Sequence, residues 1–345
     1  MKPAASSSHL SLRRTRSQLL AIARATLMES IQQPIAFLLL YSAILTTLLV
    51  PVFQFHRFGE DGRLARDSGL SMMLLVGLVL AAGTAGYAVA QEIARGTAAA
   101  ILGKPISRLT FILAKWLGCC GVLALFWSGL LAATLLAERG SSHAVLTEEA
   151  VGHLADSQTI LLAVAAATLA TLWAAVRHYL WRRRFGVTAF LGIIASQWLV
   201  VGLVGFFTRS GTLLIAQGTR WYNPELNLRL LPAAVLCLAA LTIFAALATA
   251  LATRLQTGAV LAIAFLVLLL GLTGDTFATH AAPLSLRGLV AGLMPDIQHF
   301  WMCDALANNG RIAWSYVFAA IAYAATSCTL FLTAGFLAFK ERDLG

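Results

Sequence analysis

Long apolar runs dominate the pattern of hydrophobic and polar positions along the chain. A hydrocarbon core of about 30 Å needs roughly 20 apolar residues in helix, so each run of about that length predicts a membrane-spanning helix. Eight runs qualify, of which the fourth and the seventh are short: 34–53, 69–90, 117–137, 159–176, 186–207, 231–252, 258–274 and 313–339. The pattern therefore predicts an all-α fold, a polytopic transmembrane helix bundle.

The stretch before the first run has a different pattern. Its leucines, isoleucines and alanines alternate with Arg16, Arg24 and Glu29. This spacing favours an amphipathic helix over residues 1–33 that lies in the inner membrane interface, with its arginines reaching anionic headgroups; a frayed basic tail is the alternative. No cleavable signal peptide is expected, because the apolar core begins too late. Residues 34–345 are expected to form a single transmembrane domain.

Composition agrees with a membrane setting. Hydrophobic residues make up 59% of the chain and charged residues 12%, whereas soluble domains carry about 25% charged residues. Lipid is therefore expected to cover much of the surface. The five cysteines are an odd number and include no Cys-x-x-Cys pair, so neither a disulfide framework nor a zinc site is expected.

The net charge of +10 is distributed unevenly between the connections. With the amino terminus inside, the inner connections hold sixteen Lys and Arg against four acids, and the outer ones nine against eleven. The positive-inside rule then predicts both termini in the cytoplasm. The expected location is the cell (inner, cytoplasmic) membrane. The loop with Arg209, Arg220 and Arg229 runs against this rule. Since the charge follows topology, no nucleic-acid partner is expected.

The eight runs contain no Asp, Glu, Lys, Arg or His. Ion-coupled carriers usually need such a group at mid-membrane depth, so the energy source for any movement is expected outside this chain. Gln197 is interpreted as a hydrogen-bonding contact between helices. Metalloprotease and serine-hydrolase motifs are missing, and residues 96–105 lack phosphate-loop spacing. The chain is expected to be no enzyme and to hold no cofactor or metal.

One polar connection, residues 91–115, carries more information. It predicts a helix end at Glu92, a short helix over 96–102, a break at Gly103, and a turn at Pro105 before Ser107 caps the next helix. Its exposed face would carry three cations beside three apolar side chains: Arg95, Lys104, Arg108, Ile101, Leu102 and Ile106. Such a surface suits docking into a groove of another protein. An ordinary inner loop whose cations only set topology is the alternative.

The spacing Glu92-x-x-x-Gly96-Thr97, followed by 104–108 (Lys-Pro-Ile-Ser-Arg) and Lys115-x-x-Gly118, resembles the membrane subunits of type-two ATP-binding-cassette exporters. Weaker resemblance extends to the leader, to 241–256 with its following helix, and to 339–344. The resemblance implies a permease driven by a separate cytoplasmic ATPase that binds ATP and Mg²⁺, with a second permease chain as a homodimer or a paired permease. The implied ATPase-docking residues are Glu92, Arg95, Gly96, Thr97, Ile101, Leu102, Gly103, Lys104, Pro105, Ile106 and Arg108.

The predicted span number departs from that family, whose members typically have six. The surplus is the pair 159–176 and 186–207, interpreted as an inserted hairpin within 159–207 that keeps both termini inside. The family also tends to have short external re-entrant helices before the last span. Residues 284–307, in two pieces over 284–294 and 296–307, fit a re-entrant or interfacial segment.

Two other functions stay open. A non-transporting subunit of the same type would couple ATP hydrolysis to assembly, motility or maturation of an external partner, with the same loop and spans. A secondary carrier would transport without any ATPase and would stop when ion gradients collapse. The substrate has no signature in the sequence.

Overall fold

The structure is a computed structural model that describes residues 5–53, 62–97, 106–141, 143–147, 150–154, 156–208, 214, 222–223, 225–273 and 294–341. Side chains are described within these ranges except at 5–14, 143–154 and 307–309. Nine long helices account for most of these residues: α1 Ala5–Gln32, α2 Pro34–Leu49, α3 Arg63–Ala85, α4 Arg108–Gly140, α5 Ser157–Trp181, α6 Phe185–Val204, α7 Leu230–Ala252, α8 Thr257–Leu272 and α9 Trp314–Lys340. A 3₁₀ turn, Val50–Phe53, continues α2, and a π-helical segment, Gly86–Gln91, continues α3 into a last turn, Glu92–Ala94.

Seven helices of the described chain are long and apolar enough to cross a membrane, and they confirm a multi-pass membrane protein. They are α2 with its 3₁₀ turn, α3 with its continuation to Ala94, and α4, α5, α6, α7 and α9. The remaining run, the seventh along the chain (258–274), forms α8, which has only 16 residues. At 1.5 Å per residue α8 is about 24 Å long, less than a typical hydrocarbon core of about 30 Å.

The core lies where α3, α4 and α7 pack together. Phe126 and Leu130 of α4, Leu70 of α3, and Leu241 and Phe244 of α7 are fully buried there. Small residues allow the close approach: a Cβ added at Gly69 would collide with Thr134, and one at Gly77 would collide with Leu241. The helices α5 and α9 are the least buried of the seven and form the rim of the bundle.

Helix α1 packs along the first half of α4. Its side chains at Thr26, Ser30 and Ile31 are buried, while Arg16 and Arg24 are exposed. A Cβ at Gly118 would meet the Thr26 side chain and the Ala23 carbonyl oxygen, so the two backbones touch. The helix therefore has one packed and one exposed face, as its sequence pattern predicts. Its depth in a membrane interface stays a prediction.

Two short elements lie outside the membrane-spanning helices. Strands β1, His143–Thr147, and β2, Ala150–Leu154, form an antiparallel hairpin between α4 and α5. Before α9, residues 294–313 contain two 3₁₀ turns, Gln298–Phe300 and Asp304–Asn309, where a continuous short helix was expected over 296–307. The expected piece over 284–294 lies outside the described residues except for Met294.

The segment before α9 folds back onto the end of α8. The Ile297 amide donates to the Gly271 carbonyl at 3.1 Å, and Phe300 is buried. Asp296 accepts from the Gln298 amide through its carboxylate at 2.9 Å, and its own amide donates to the Tyr323 hydroxyl oxygen. These side-chain bonds replace helical backbone bonds, which explains the turns found in place of a helix.

Candidate docking site at one end of the bundle

Antiparallel helices give the bundle two ends with different chemistry. At one end lie the last turn of α3, the start of α4, the α5–α6 turn, the α7–α8 connection and the end of α9; this is called the loop end. At the other lie Gly62, the end of α4, the β-hairpin and the start of α9, which is called the hairpin end. The predicted docking residues all belong to the connection between α3 and α4, at the loop end.

A buried ion pair joins the two helices on either side of this connection. The Lys115 ammonium lies 2.5 Å from the Glu92 carboxylate, with side chains only 3% and 18% exposed. The same ammonium lies 5.5 Å from the centre of the Phe111 ring. Because little water reaches the pair, it fixes the end of α3 against α4 more firmly than a surface pair would.

The continuation of α3 ends in an exposed arginine. Gly96 has φ +73°, a left-handed conformation that stops the helix, and a Cβ there would meet nothing within 4 Å. Thr97 donates its hydroxyl to the Glu92 carbonyl at 3.1 Å, which closes the last turn. Arg95 is exposed, and its guanidinium has no partner among the described residues. The described start of the connection is thus an ordered turn with an exposed positive charge.

The start of α4 agrees with its prediction. Ser107 is the N-cap, and its hydroxyl accepts from the Thr110 amide at 3.0 Å. Ile106 is half-buried just before it. The predicted docking residues between these two ordered ends, Ile101, Leu102, Gly103, Lys104 and Pro105, lie outside the described residues, as does most of the expected short helix over 96–102.

The structure places Arg108 in a different environment from the predicted exposed docking face. Its guanidinium donates to the carbonyl oxygens of Phe339 at 2.9 Å and Lys340 at 2.6 Å, at the end of α9. Arg254, in the α7–α8 connection, donates twice to the Ala338 carbonyl, at 2.6 and 3.0 Å. Two arginines thus satisfy carbonyls that α9 leaves without helical partners, where a cation also complements the helix dipole.

Sequence reasoning missed the two partners that matter most at this end. In the sequence Lys115 enters only the Lys115-x-x-Gly118 spacing, and nothing marks Arg254 as part of the site. Lys115 follows Glu92 by 23 residues, and Arg254 precedes Ala338 by 84. Contacts at such separations leave no periodic signal. The one hint is that each is a lone cation at the margin of an apolar run.

A π-helical segment lies directly before the docking connection. It spans Gly86–Gln91, and a Cβ at Gly86 would collide with the Thr257 side chain at the start of α8. Wide turns of this kind occur mostly as local insertions in α-helices and frequently at functional sites. Here the wide turn lies where α3 leaves the packed bundle.

The hairpin end has its own ionic network. Glu138 of α4 accepts from Arg66 of α3 at 3.4 Å and from Asn227 at 2.8 Å. Arg139 pairs with Asp156 at 3.3 Å and donates to the Phe207 carbonyl at 2.8 Å. Ion pairs therefore join α3, with its continuation, to α4 at both ends: Glu92 with Lys115 and Arg66 with Glu138. The two pairs lie about 35–40 Å apart along the helices, slightly more than the thickness of a hydrocarbon core.

The two ends differ in charge: the loop end is strongly basic and the hairpin end is nearly neutral. Among residues with described side chains, the loop end has eleven Lys and Arg against three acids: Arg16, Arg24, Arg95, Arg108, Lys115, Arg177, Arg182, Arg183, Arg184, Arg254 and Lys340 against Glu29, Glu92 and Glu341. The hairpin end has five against six: Arg63, Arg66, Arg139, Arg229 and Arg311 against Asp67, Glu138, Asp156, Glu225, Asp296 and Asp304.

The polar side chains described within the bundle contribute to helix packing. Gln197 is fully buried, and its amide donates to the Ala163 carbonyl at 3.0 Å, which joins α6 to α5 as the sequence suggested. The cysteines are free, four of them buried and Cys120 half-buried. Burial raises the pKa of Cys303 to about 12, so its thiol stays protonated at neutral pH. The described residues contain no His, Cys, Asp and Glu cluster able to hold a metal ion.

Comparison with known proteins gives no relative: no family model matches the chain, and no curated protein or solved structure is significantly similar to it. The fold itself defines the class of protein, a multi-pass membrane protein built from a helix bundle.

Proposed function

We propose that this chain is the membrane subunit of an ATP-binding-cassette exporter, driven by a separate cytoplasmic ATPase that docks on the connection between α3 and α4. The main support for the proposal is that this connection is attached at both ends to helices of the bundle core. Its two ordered ends, at Thr97 and Ile106, continue the two longest apolar helices of the described chain, of 32 and 33 residues. A docked motor would therefore act on the centre of the bundle.

The lengths of α3, with its continuation, and of α4 support a connection that projects from the membrane. The two helices are about 48–50 Å long, while the hydrocarbon core is about 30 Å thick, so they extend beyond the lipid. The ion pair between Glu92 and Lys115 joins them where they project. Arg108 further links the start of α4 to the end of α9. A push on the connection would thus reach three helices together.

The charge distribution supports a cytoplasmic loop end. The excess of Lys and Arg lies at the loop end, and the positive-inside rule assigns such an end to the cytoplasm. In this orientation α8 is an eighth, shortened crossing, and both termini are cytoplasmic. The pair α5 and α6 is the inserted hairpin on a six-span core. A second permease chain completes the transporter.

Charge reversal at Arg95 tests the docking role. Arg95 is exposed and has no partner among the described residues, so Arg95→Glu should leave the fold unchanged while placing a carboxylate where the ATPase presents its own acids. Arg108→Glu is a poorer test, because it also removes the contacts with α9. We expect tagged wild-type chain, extracted from its native membrane, to co-purify with an ATP-binding-cassette ATPase identified by mass spectrometry, and Arg95→Glu to lose it.

Arg311→Glu is the matched control, since Arg311 is an exposed arginine at the hairpin end with no partner in the described chain. It should retain the ATPase. A photo-reactive residue at position 97 should cross-link to the same ATPase, and one at position 311 should not. Wild-type chain that brings down no such ATPase, or Arg95→Glu that retains it with undiminished ATP hydrolysis, would refute the proposal.

A further inference from the structure

The turn between α5 and α6 carries a concentrated positive charge that the docking role does not use. Arg182, Arg183 and Arg184 are exposed, and Arg177 is half-buried one helical turn earlier. None of the four pairs with a carboxylate in the described part of the chain. The side chains of Arg177, Arg182 and Arg183 have no protein partner there at all. Four neighbouring cations without counter-charges repel one another, so the turn is suited to an external anion.

The structure holds this turn in one conformation. Arg182 has φ 50°, a left-handed geometry that reverses the chain after α5. His178 Nδ1 lies 2.7 Å from the Arg183 carbonyl oxygen, and Arg184 donates to the Gln32 side chain of α1 at 2.6 Å. These contacts fix the backbone while leaving the guanidinium groups of Arg182 and Arg183 outside. An anion would therefore meet a preformed cluster.

Packing beneath the turn adds to this rigidity. Phe185 packs edge-on against Phe37 of α2, with ring centres 5.2 Å apart. A Cβ at Gly186 would lie 2.7 Å from the Gln32 carbonyl oxygen, so the start of α6 touches the end of α1 directly. The turn is thus fixed to α1 and α2 as well as to its own two helices.

The residues around the arginines indicate the depth of the turn. Tyr179 is 85% exposed, and Trp173 and Trp181 are 56% and 57% exposed, with their rings 6.1 Å apart. Exposed tryptophan and tyrosine on a spanning helix are typical of the headgroup region. Helix α5 has 25 residues and is about 37 Å long, so its end extends past a hydrocarbon core of about 30 Å. The arginines therefore lie at the height of lipid phosphates.

We propose that the α5–α6 turn is a binding site for an anionic phospholipid of the loop-end leaflet. Arg182 and Arg183 hold the headgroup phosphate, and Arg177 contributes long-range attraction. Guanidinium groups bind phosphate through paired hydrogen bonds, which an ammonium cannot reproduce with the same geometry. The exposed faces of Trp173, Trp181 and Leu180 contact the glycerol region and the upper acyl chains. A soluble protein or nucleic acid would leave these apolar surfaces uncovered. A phospholipid covers the arginines with its headgroup and the apolar side chains with its acyl chains.

The test measures lipid retained by the purified full chain. Wild-type and variant chains are reconstituted in phosphatidylcholine nanodiscs containing a minor fraction of phosphatidylglycerol. They are then released into detergent, and bound lipids are counted by native mass spectrometry. We expect wild type to retain phosphatidylglycerol in preference to phosphatidylcholine. Arg182→Gln with Arg183→Gln should lower that preference about tenfold or more, since each arginine near an anionic lipid contributes separately.

A matched double variant distinguishes a specific lipid-binding site from the general electrostatic attraction between cations and anionic lipids. Arg16→Gln with Arg24→Gln removes two exposed charges from α1 at the same end of the bundle, neither of which has a partner among the described residues. It should lower the preference much less than the turn variant, because these arginines contribute only general attraction to anionic headgroups. Arg182→Lys with Arg183→Lys retains the charge and should keep part of it, which also shows that the turn tolerates substitution. Equal losses in the two Gln double variants, or no preference in the wild type, would overturn the proposal.

Discussion

Gly118 shows how one residue determines where α1 lies. It is part of the Lys115-x-x-Gly118 spacing, and its missing side chain lets α1 contact the α4 backbone. A Cβ there would be 2.6 Å from the Thr26 Cβ and 2.8 Å from the Ala23 carbonyl oxygen. Because one of these atoms belongs to the backbone, a rotamer change cannot relieve the collision. Gly83, in α3, offers a contrast: a Cβ there would meet nothing within 4 Å.

Gly118→Ala should therefore lower the free energy of unfolding by about 1–3 kcal/mol, the usual cost of overpacking. Gly83→Ala should be neutral or stabilising by up to about 1 kcal/mol, since alanine has the higher helix propensity. Thermal unfolding of the two variants in the same detergent gives the comparison. A melting temperature for Gly118→Ala equal to that of Gly83→Ala would show that α1 does not pack as described.

At the scale of elements, the end of α9 depends on two arginines from elsewhere in the chain. Arg108 and Arg254 donate to three successive carbonyls, those of Ala338, Phe339 and Lys340. A cation at a helix carboxyl end is usually stabilising by about 0.3–1 kcal/mol, and by up to about 2 kcal/mol in partly buried geometries. The contacts also join the starts of α4 and α8 to the end of α9.

Arg108→Gln combined with Arg254→Gln should loosen the last turns of α9. Hydrogen exchange of the backbone amides over 335–341 should become about tenfold faster or more, which corresponds to losing about 1.4 kcal/mol of local stability. Arg95→Gln is the control, because its side chain is exposed and contacts nothing described. Exchange that is equally slow in the double variant would mean that α9 holds its end without these arginines.

The sequence predicts the elements of this fold better than their contacts. Apolar runs placed helices α6 and α7 within a few residues of their ends, and the Ser107 cap was predicted correctly, because both depend on neighbours along the chain. The long-range pairs were not predictable. Glu92 and Lys115 resemble two separate loop charges until α3 and α4 pack side by side. Arg108 looked exposed for the same reason, since its partners follow more than two hundred residues later.

At the scale of the whole molecule, the bundle has a basic end and a nearly neutral one. Single cysteines introduced at the two ends can distinguish the two sides of the membrane. The native cysteines are buried or half-buried, so they should react slowly with a labelling reagent. Arg95→Cys lies at the loop end, and Asp304→Cys replaces a side chain that is 93% exposed near the hairpin end. We expect a membrane-impermeant maleimide to label position 95 only in inside-out vesicles and position 304 only in right-side-out ones. Labelling of both from one side would contradict the antiparallel arrangement, and reversed labelling would contradict the orientation alone.

The short helix α8 has a consequence for the surrounding bilayer. Its length falls about 6 Å below a typical hydrocarbon thickness, and its leucines at 266 and 269 are more than half exposed. The Met294–Phe300 region closes over its end rather than extending it. In the proposed topology, in which α8 crosses the membrane, lipids beside it would shorten or tilt to match it, which creates a hydrophobic mismatch on one flank of the bundle. Membranes with longer acyl chains raise the cost of that deformation, so this protein should be sensitive to bilayer thickness on that flank in particular.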